Sequence, residues 1–252
     1  MKNKIQAFLS QIEKEKNIQI LYANESGSRA WGFPSPDSDY DIRFIYRRER
    51  DWYLSVNEGK DQMTVMPNKL LDGSGWDFRK YLRLLHSSNA TCFDWLNSPI
   101  IYREEKLFSE PVRELTKKYF QPKKVMFHFL GIAKGMLQRE FLTDRVRIKK
   151  YFYVLRPVLT AVYIAKHKKA APVDFHELLP LVKSNESVYQ EITDLLKQKE
   201  KAMEGDLVKR VKILDEFVAQ EMARCEAIAR SLPKQQMSWN DINLFYRKIL
   251  DI

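Results

Sequence analysis

Two short apolar segments, joined by a polar stretch that contains glycine and proline, constrain the fold of this chain most strongly. IQILYAN at 18–24 and YDIRFIYR at 40–47 have the length and the β-branched and aromatic content of strands. Asp39, just before the second segment, and Asp41 and Arg43 within it alternate with apolar residues, so these three side chains project from the opposite face. The pattern predicts a half-buried sheet that presents two neighbouring carboxylates.

Two adjacent carboxylates repel each other, and they are tolerated where a cation lies between them or where the site is open to water. Their oxygens suit Mg²⁺, which takes one or two carboxylates and completes its shell with water and phosphate oxygens. Two such ions about 4 Å apart can activate an attacking oxygen and stabilise a leaving one. Asp39 and Asp41 are therefore predicted to bind metal. The alternative interpretation of DSDYD is a polar turn that leads into a strand.

Gly27 and Ser28 come directly after the first strand and its short polar end. Glycine allows a sharp turn and a close approach of the backbone to a ligand. The amides beyond it and the serine hydroxyl can bind phosphate oxygens. A phosphate-binding turn and a metal-binding pair in one short segment are what phosphoryl or nucleotidyl transfer requires. Arg29, the next residue, is either a further ligand of a triphosphate or a solvated arginine.

This stretch resembles the signature of the DNA polymerase β-like nucleotidyltransferase superfamily, in which an apolar strand, Gly-Ser, a spacer and an acid–apolar–acid strand follow one another. Further segments are similar to a bacterial family of predicted nucleotidyltransferases, one branch of which is associated with RNA ligases and RNA repair. They are ESGSRAWGFPSPDSDYDIRFIY, DWYL, GWDFRKYLRLL, DWLNSPIIYRE and RIKKYFYVLRPVL. The similarity runs from residue 22 to residue 180, and no familiar motif covers residues 185–252.

The resemblance implies a mixed sheet with Gly27 on the turn after its first strand and the acids on its second. It also implies a reaction, the transfer of a nucleoside monophosphate from an NTP to an acceptor hydroxyl with pyrophosphate as the leaving group. A third acid on a neighbouring strand would help to hold the catalytic metal and take the acceptor proton. Asp72 is the first candidate for a catalytic metal ligand and Asp77 the second. For Asp77 the alternative is a stabilising acid at a helix N-terminus, and Asp61 is assigned to a loop.

Beyond Pro122 the pattern contains helices alone, which predicts an α+β fold. A polymerase β-type mixed sheet with helices would form a catalytic domain at 1–120, and an all-helical domain at 121–252 would close the cleft. Strands are predicted at 18–24, 40–47, 60–67 and 69–72. Helices are predicted at 2–16, 77–86, 89–97, 104–119, 122–141, 144–168, 174–183, 186–202, 206–231 and 238–250.

The charge of the chain, +10, is concentrated in one segment. Residues 121–157 contain nine basic and two acidic residues, a net +7. There Lys149, Tyr153 and Arg156 share one helix face, with Lys150 beside them. This face is either solvated or a surface for triphosphate or acceptor phosphates. The excess of positive charge favours RNA as acceptor, ahead of a small hydroxylated molecule or a protein hydroxyl.

Aromatic residues near the motif have two interpretations. Trp31, Phe33 and Trp76 either stack on a base or pack the loop against the sheet. The two cysteines make no disulfide framework or zinc site, which predicts a reducing cytoplasm. No apolar run approaches the roughly 20 residues of a membrane helix, so no membrane partner is expected.

The leading hypothesis is a Mg²⁺-dependent nucleotidyltransferase that uses an NTP and acts on RNA. One alternative is the adenylylation of a small molecule or a protein. Another is a catalytically silent module of the same fold that binds nucleotide or nucleic acid.

Overall fold

The computed structural model describes residues 1–57, 59–203 and 205–251. Within them the strands are β1 (Gln19–Glu25), β2 (Tyr40–Arg47), β3 (Gln62–Asn68), β4 (Leu71–Asp77), β5 (Ile101–Glu104), β6 (Arg145–Arg147) and β7 (Leu207–Lys209). The first helices are α1 (Lys2–Lys16), α2 (Gly27–Ala30), α3 (Arg50–Leu54), α4 (Phe78–His86), α5 (Ala90–Leu96) and α6 (Lys106–Tyr119). They are followed by α7 (Pro122–Glu140), α8 (Ile148–His167), α9 (Glu186–Lys201), α10 (Lys212–Ser231) and α11 (Asn240–Leu250).

The central sheet has five strands in the order β3-β4-β2-β1-β5. β2 and β4 run parallel, whereas the other neighbouring pairs are antiparallel. A mixed sheet accompanied by many helices confirms the predicted α+β class. The parallel pair places the starts of β2 and β4 at the same edge of the sheet.

One face of the sheet packs against α1 and forms a hydrophobic core. α1 contributes the stripe predicted from its helical spacing, which is Ile5, Phe8, Leu9 and Ile12. β2 contributes Ile42, Phe44 and Tyr46, at alternate positions of the strand. The polar residues of β2 that alternate with these core residues therefore project from the other face of the sheet.

The sequence DGSGW on β4 also alternates between the core face and the partly exposed face of the sheet. Gly73 and Gly75 point toward the core, and Asp72, Ser74 and Trp76 alternate with them on the partly exposed face. A Cβ on Gly75 would lie 2.1 Å from the Phe44 ring. Core side chains occupy the space that a side chain at position 73 or 75 would need.

The chain divides into two compact units, and neither is continuous in sequence. The first comprises Met1–Gly27, Asp39–Tyr119 and Gln236–Ile252, and contains the five-stranded sheet. The second comprises Ser28–Ser38 and Phe120–Gln235, and contains α7 to α10. The division into domains at residue 120 stays a prediction, because compact units need not coincide with independently folding domains.

Several elements differ from those predicted. β4 extends to Asp77, five residues beyond the predicted strand, because its glycines disguise a strand pattern. The expectation of helices alone after Pro122 is wrong at β6 and β7, which form a separate two-stranded sheet. With three residues each, these strands are too short to show a period. The helix predicted at 174–183 is instead a pair of 3-10 helices, Phe175–Glu177 and Leu179–Val182.

Cys92 and Cys225 are both free and buried. Across the described part of the chain, no helix combines the length and the apolar composition needed to cross a bilayer. The cytoplasmic location stays a prediction.

Gly75→Ala is expected to lower the free energy of unfolding by about 1–3 kcal/mol, because the new methyl group overpacks the core against Phe44. Glycine to alanine at an unstrained position is normally stabilising, so the expected sign is diagnostic. Ser74→Ala, on the other face of the same strand, is the control and should change stability by less than about 0.5 kcal/mol. Urea unfolding measures both, and a Gly75→Ala variant as stable as the wild type would contradict the packing described.

Candidate active site

The parallel ladder between β2 and β4 pairs Asp41 with Asp72. Paired residues of neighbouring strands carry their side chains on the same face. These side chains are 23% and 26% exposed, so solvent and ligands can reach both carboxylates. Of the two candidates for the third acid, Asp72 is therefore the one that the fold brings beside Asp41.

Arg43 joins the two carboxylates. Its Nη2 lies 2.6 Å from Asp41 Oδ1 and 2.9 Å from Asp72 Oδ2. Its Nη1 donates a hydrogen bond to the main-chain oxygen of Asp72 at 3.0 Å. The guanidinium thus supplies a positive charge that offsets the repulsion between the two carboxylates. The prediction that Arg43 binds substrate remains open, but its contacts here are with the acids.

The pKa of Asp41 is raised above its ordinary value. Burial is the main cause, and the neighbouring charges of Asp39 and Asp72 act in the same direction, while Arg43 opposes them. Asp39 therefore lies close enough to Asp41 to act on it electrostatically. A further cation at this edge of the sheet would stabilise the charged form of Asp41.

Gly27 occupies a position that accepts no side chain. Its φ is +60°, in the left-handed region, and a Cβ would lie 1.9 Å from Asp41 Oδ2. The preceding residue, Ser26, donates its backbone N–H to the carbonyl of Asp41 at 2.8 Å. The turn after β1 therefore lies directly against Asp41, and a larger residue at 27 would displace the carboxylate.

Glu25 reaches the same segment, although the sequence pattern did not single it out. Its Oε1 accepts the backbone N–H of Asp41 at 2.7 Å, and its side chain is fully buried. The available signal was an acid at the end of an apolar strand, immediately before the Gly-Ser pair.

Ser28 and Arg29 tie together the two ends of the spacer that separates the glycine turn from the acids. Ser28 Oγ donates a hydrogen bond to Ser38 Oγ at 3.1 Å, and Arg29 Nη2 donates one to the carbonyl of Ser38 at 2.7 Å. The spacer is thus a closed loop. Phosphate binding by Ser28 and Arg29 stays a prediction.

Asp77 lies at the far end of β4, where it pairs with Tyr46 rather than with an acid. It is five positions along the strand from Asp72, a distance of about 16 Å. It caps α4 by accepting the N–H of Arg79 at 2.8 Å, and it accepts the Tyr53 hydroxyl at 2.8 Å. Burial raises its pKa. These contacts support the helix N-terminal role and argue against Asp77 as a catalytic residue.

The basic stripe of α8 is largely engaged within its own unit. Arg156 is 4% exposed, donates to the carbonyl of Val173 at 3.4 Å and lies over Trp31 at 4.8 Å. Lys150 pairs with Glu140 at 2.9 Å. Burial of Arg156 argues against the solvated alternative at that position, and substrate binding by Lys150 and Arg156 stays a prediction.

The remaining residues of the stripe are partly accessible. Tyr153 packs edge-on against Trp31, with 5.1 Å between the ring centroids, and Lys149 is half-buried. Phe33 is 2% exposed and packs on Phe152. The packing interpretation therefore holds for Phe33, and substrate binding by Lys149 and Tyr153 stays a prediction.

Trp76 stacks on Trp95 with 4.2 Å between the ring centroids. Because Trp95 is only 4% exposed, one face of the Trp76 ring is committed to packing. The packing interpretation is therefore supported for Trp76 as well.

No group of three or more His, Cys, Asp and Glu side chains is arranged as a metal site within residues 1–57, 59–203 and 205–251. Asp41 and Asp72 nevertheless match what Mg²⁺ needs from a protein, since it uses one or two carboxylates and takes its other ligands from water and phosphate. Arg43 shows that this pair accepts a cation between its oxygens. The donor set fits a divalent hard cation, with Asp39 as a further predicted ligand.

Comparison with known proteins identifies relatives over nearly the whole chain. A family model described as the RNA repair pathway DNA polymerase beta family matches residues 1–248. A Bacillus subtilis (strain 168) protein, described as uncharacterized protein YcgL, is 39% identical over 236 residues, which is 94% of this chain and 91% of that protein. A solved nucleotidyltransferase-like protein from Exiguobacterium sibiricum 255-15 is 10% identical, with a TM-score of 0.33 over 100% of this chain and 80% of that one.

Asp41→Asn is expected to leave the free energy of unfolding unchanged or to raise it at pH 7. Because the pKa of Asp41 is higher in the folded chain, the folded state binds this proton more tightly than the unfolded state. The destabilisation is therefore present above the folded pKa and disappears below the unfolded value of about 3.9. Denaturant unfolding at pH 7 and at about pH 3.5 should show a difference that shrinks in acid.

The control is Asp61→Asn. It removes a carboxylate that is not part of the acid pair and whose Oδ1 lies 2.9 Å from Lys80 Nζ. An Asp41→Asn variant that is clearly less stable than the wild type at pH 7 would show that the ion pair with Arg43 outweighs burial and repulsion.

Proposed function

The chain belongs to the RNA repair pathway DNA polymerase beta family, and from this premise we propose that it is a Mg²⁺-dependent nucleotidyltransferase that moves a nucleoside monophosphate from an NTP to a hydroxyl of RNA. The pairing of Asp41 with Asp72 across β2 and β4 carries the proposal. This pairing supplies two carboxylates on one face, beside a glycine turn that has no room for a side chain.

Asp41 and Asp72 would hold the metal, with Asp39 beside them. When bound, Mg²⁺ supplies positive charge to the triphosphate and to the developing oxyanions. Gly27 and the adjoining Ser28 are the proposed phosphate-binding pair, because a glycine there keeps the backbone accessible to a large anion. Arg43 holds the two carboxylates together in the absence of other cations.

The proposed reaction forms a bond between the acceptor oxygen and the α-phosphorus of the NTP. The bond from that phosphorus to the bridging oxygen breaks, and pyrophosphate leaves with the electron pair. The proton of the acceptor hydroxyl passes to a carboxylate, for which Asp72 is proposed because it is partly exposed on the same face as Asp41. Asp77 takes no part, since it is buried and caps a helix.

Two observations support RNA as the acceptor. The net charge of +10 favours a polyanionic partner, and the family description refers to RNA repair. The predicted stripe on α8 contributes less to this argument than its sequence suggested, because Arg156 is buried and Lys150 is paired with Glu140.

A catalytically silent nucleotide-binding module is the second candidate, and one observation favours it. Arg43 already balances one of the two negative charges of the acid pair, so the carboxylates have a partner without a metal ion. The two candidates differ in whether a divalent cation can compete with the guanidinium for Asp41 and Asp72.

Transfer is tested by incubating the protein with Mg²⁺ and each of the four NTPs labelled at the α-phosphate, with and without single-stranded RNA. We expect label on RNA from the wild type. Asp41→Asn and Asp72→Asn should reduce incorporation to the level seen without protein, because each removes a charge needed to hold the cation. Asp61→Asn should keep the wild-type rate.

The same variants should lose the thermal stabilisation that Mg²⁺ and NTP give the wild type, since that stabilisation reports binding to the folded state. Label on the protein itself or on an added small molecule would favour adenylylation. Stabilisation by NTP without any labelled product would favour the silent module. Full activity of Asp41→Asn would exclude the metal pair.

A further inference from the structure

Glu25 is a buried charge that the proposed reaction does not use. It is the last residue of β1, and its side chain is 0% exposed. One oxygen accepts the N–H of Asp41 at 2.7 Å, and the other accepts the hydroxyl of Tyr102. Burying a carboxylate is costly unless hydrogen bonds compensate it. The hydrogen bonds from Asp41 and Tyr102 therefore fix the position of the Glu25 carboxylate.

The Glu25 carboxylate takes the place of a main-chain carbonyl that would accept the N–H of Asp41 if the ladder continued. The ladder between β1 and β2 ends with Glu25 opposite Ile42, and the chain then turns at Ser26 and Gly27. The N–H of Asp41 therefore meets the Glu25 carboxylate instead of a strand carbonyl, while the carbonyl of Asp41 accepts the N–H of Ser26. Both backbone groups of Asp41 are held by the end of β1.

Glu25 is itself fixed by the segment that ends in β5. Its N–H donates to the carbonyl of Ile100 at 2.9 Å, and its carbonyl accepts the hydroxyl of Ser98 at 2.6 Å. Ser98, Ile100 and Tyr102 all belong to the motif DWLNSPIIYRE. The proposed reaction gives this motif no role. The motif thus supports the strand end that holds Asp41.

We propose that Glu25 is a positioning residue, which fixes the backbone of Asp41 so that its carboxylate stands beside Asp72 and thereby sets the affinity for the divalent cation. This inference rests on the proposed function. Glu25 is not proposed as a ligand, because its partner Ile42 lies in the hydrophobic core and its side chain starts from that face of the sheet. Partners behind metal ligands typically affect metal affinity or activity by 10- to 100-fold.

The chain offers a matched control in Glu13. Its Oε1 accepts the backbone N–H of Ile20 at 2.7 Å, and its other oxygen pairs with Arg103. Glu13 thus anchors the beginning of β1 as Glu25 anchors its end. Loss of either contact should lower stability, but only loss of the Glu25 contact should disturb the acid pair.

The experiment compares Glu25→Ala, Glu25→Gln and Glu13→Ala with the wild-type full chain. Hydrogen exchange of the Asp41 amide is measured without metal, and Mg²⁺ binding is titrated in the presence of a non-hydrolysable NTP. Glu25→Ala should expose the Asp41 amide to exchange and weaken Mg²⁺ binding by about 10- to 100-fold. Glu13→Ala should change neither.

Glu25→Gln should stay close to the wild type in both measurements, because its amide oxygen can accept from Asp41 and its NH₂ group can donate to Tyr102. If Glu25→Gln is as defective as Glu25→Ala, the charge rather than the hydrogen bond matters and the positioning role is wrong. If Glu25→Ala does not fold, Tyr102→Phe replaces it. That variant should weaken Mg²⁺ binding, by less than the 10- to 100-fold expected for loss of the carboxylate, and unchanged binding and exchange would overturn the inference.

Asp41→Asn, measured in parallel, separates the two proposals. If it binds Mg²⁺ as the wild type does, the proposed function fails and this inference falls with it. If it loses Mg²⁺ while Glu25→Ala binds normally, the positioning role alone is wrong.

Discussion

Two carboxylates held at the same level of neighbouring parallel strands are the constraint on which the rest of this site depends. Asp41 and Asp72 face the same side of the sheet and repel each other, so a cation between them stabilises the pair. Arg43 supplies this cation in the structure. The guanidinium contacts both side chains, so the acid pair is held together without a metal ion.

The spacer between the glycine turn and the acids is also held by specific contacts. The spacer Ser28–Ser38 belongs to the unit that contains α7 to α10, where Phe33 packs among aromatic rings and Lys199 binds the Ser35 hydroxyl. A hydrogen bond between Ser28 and Ser38 brings the two ends of the spacer together. This contact limits the distance between the glycine turn before the spacer and the acids after it.

Sequence patterns predicted β2 to the residue and the buried stripe of α1, because alternation and helical spacing are strong where one face is buried. They predicted Asp72 as first candidate for the third acid, but the choice against Asp77 needed the register of a strand whose glycines hide its pattern. The burial of Arg156 and the contact of Glu25 with Asp41 could not be predicted, since both depend on residues distant in sequence.

Joint binding of a divalent cation by Asp41 and Asp72 is the proposal on which the proposed function depends. Its most direct test is a crystal structure with Mn²⁺ in place of Mg²⁺ and a non-hydrolysable NTP, recorded at a wavelength that gives an anomalous manganese signal. We expect a peak within bonding distance of a carboxylate oxygen from each aspartate, with the Arg43 guanidinium displaced from between them. A guanidinium that still joins Asp41 to Asp72, with manganese bound elsewhere or only to the nucleotide, would contradict it.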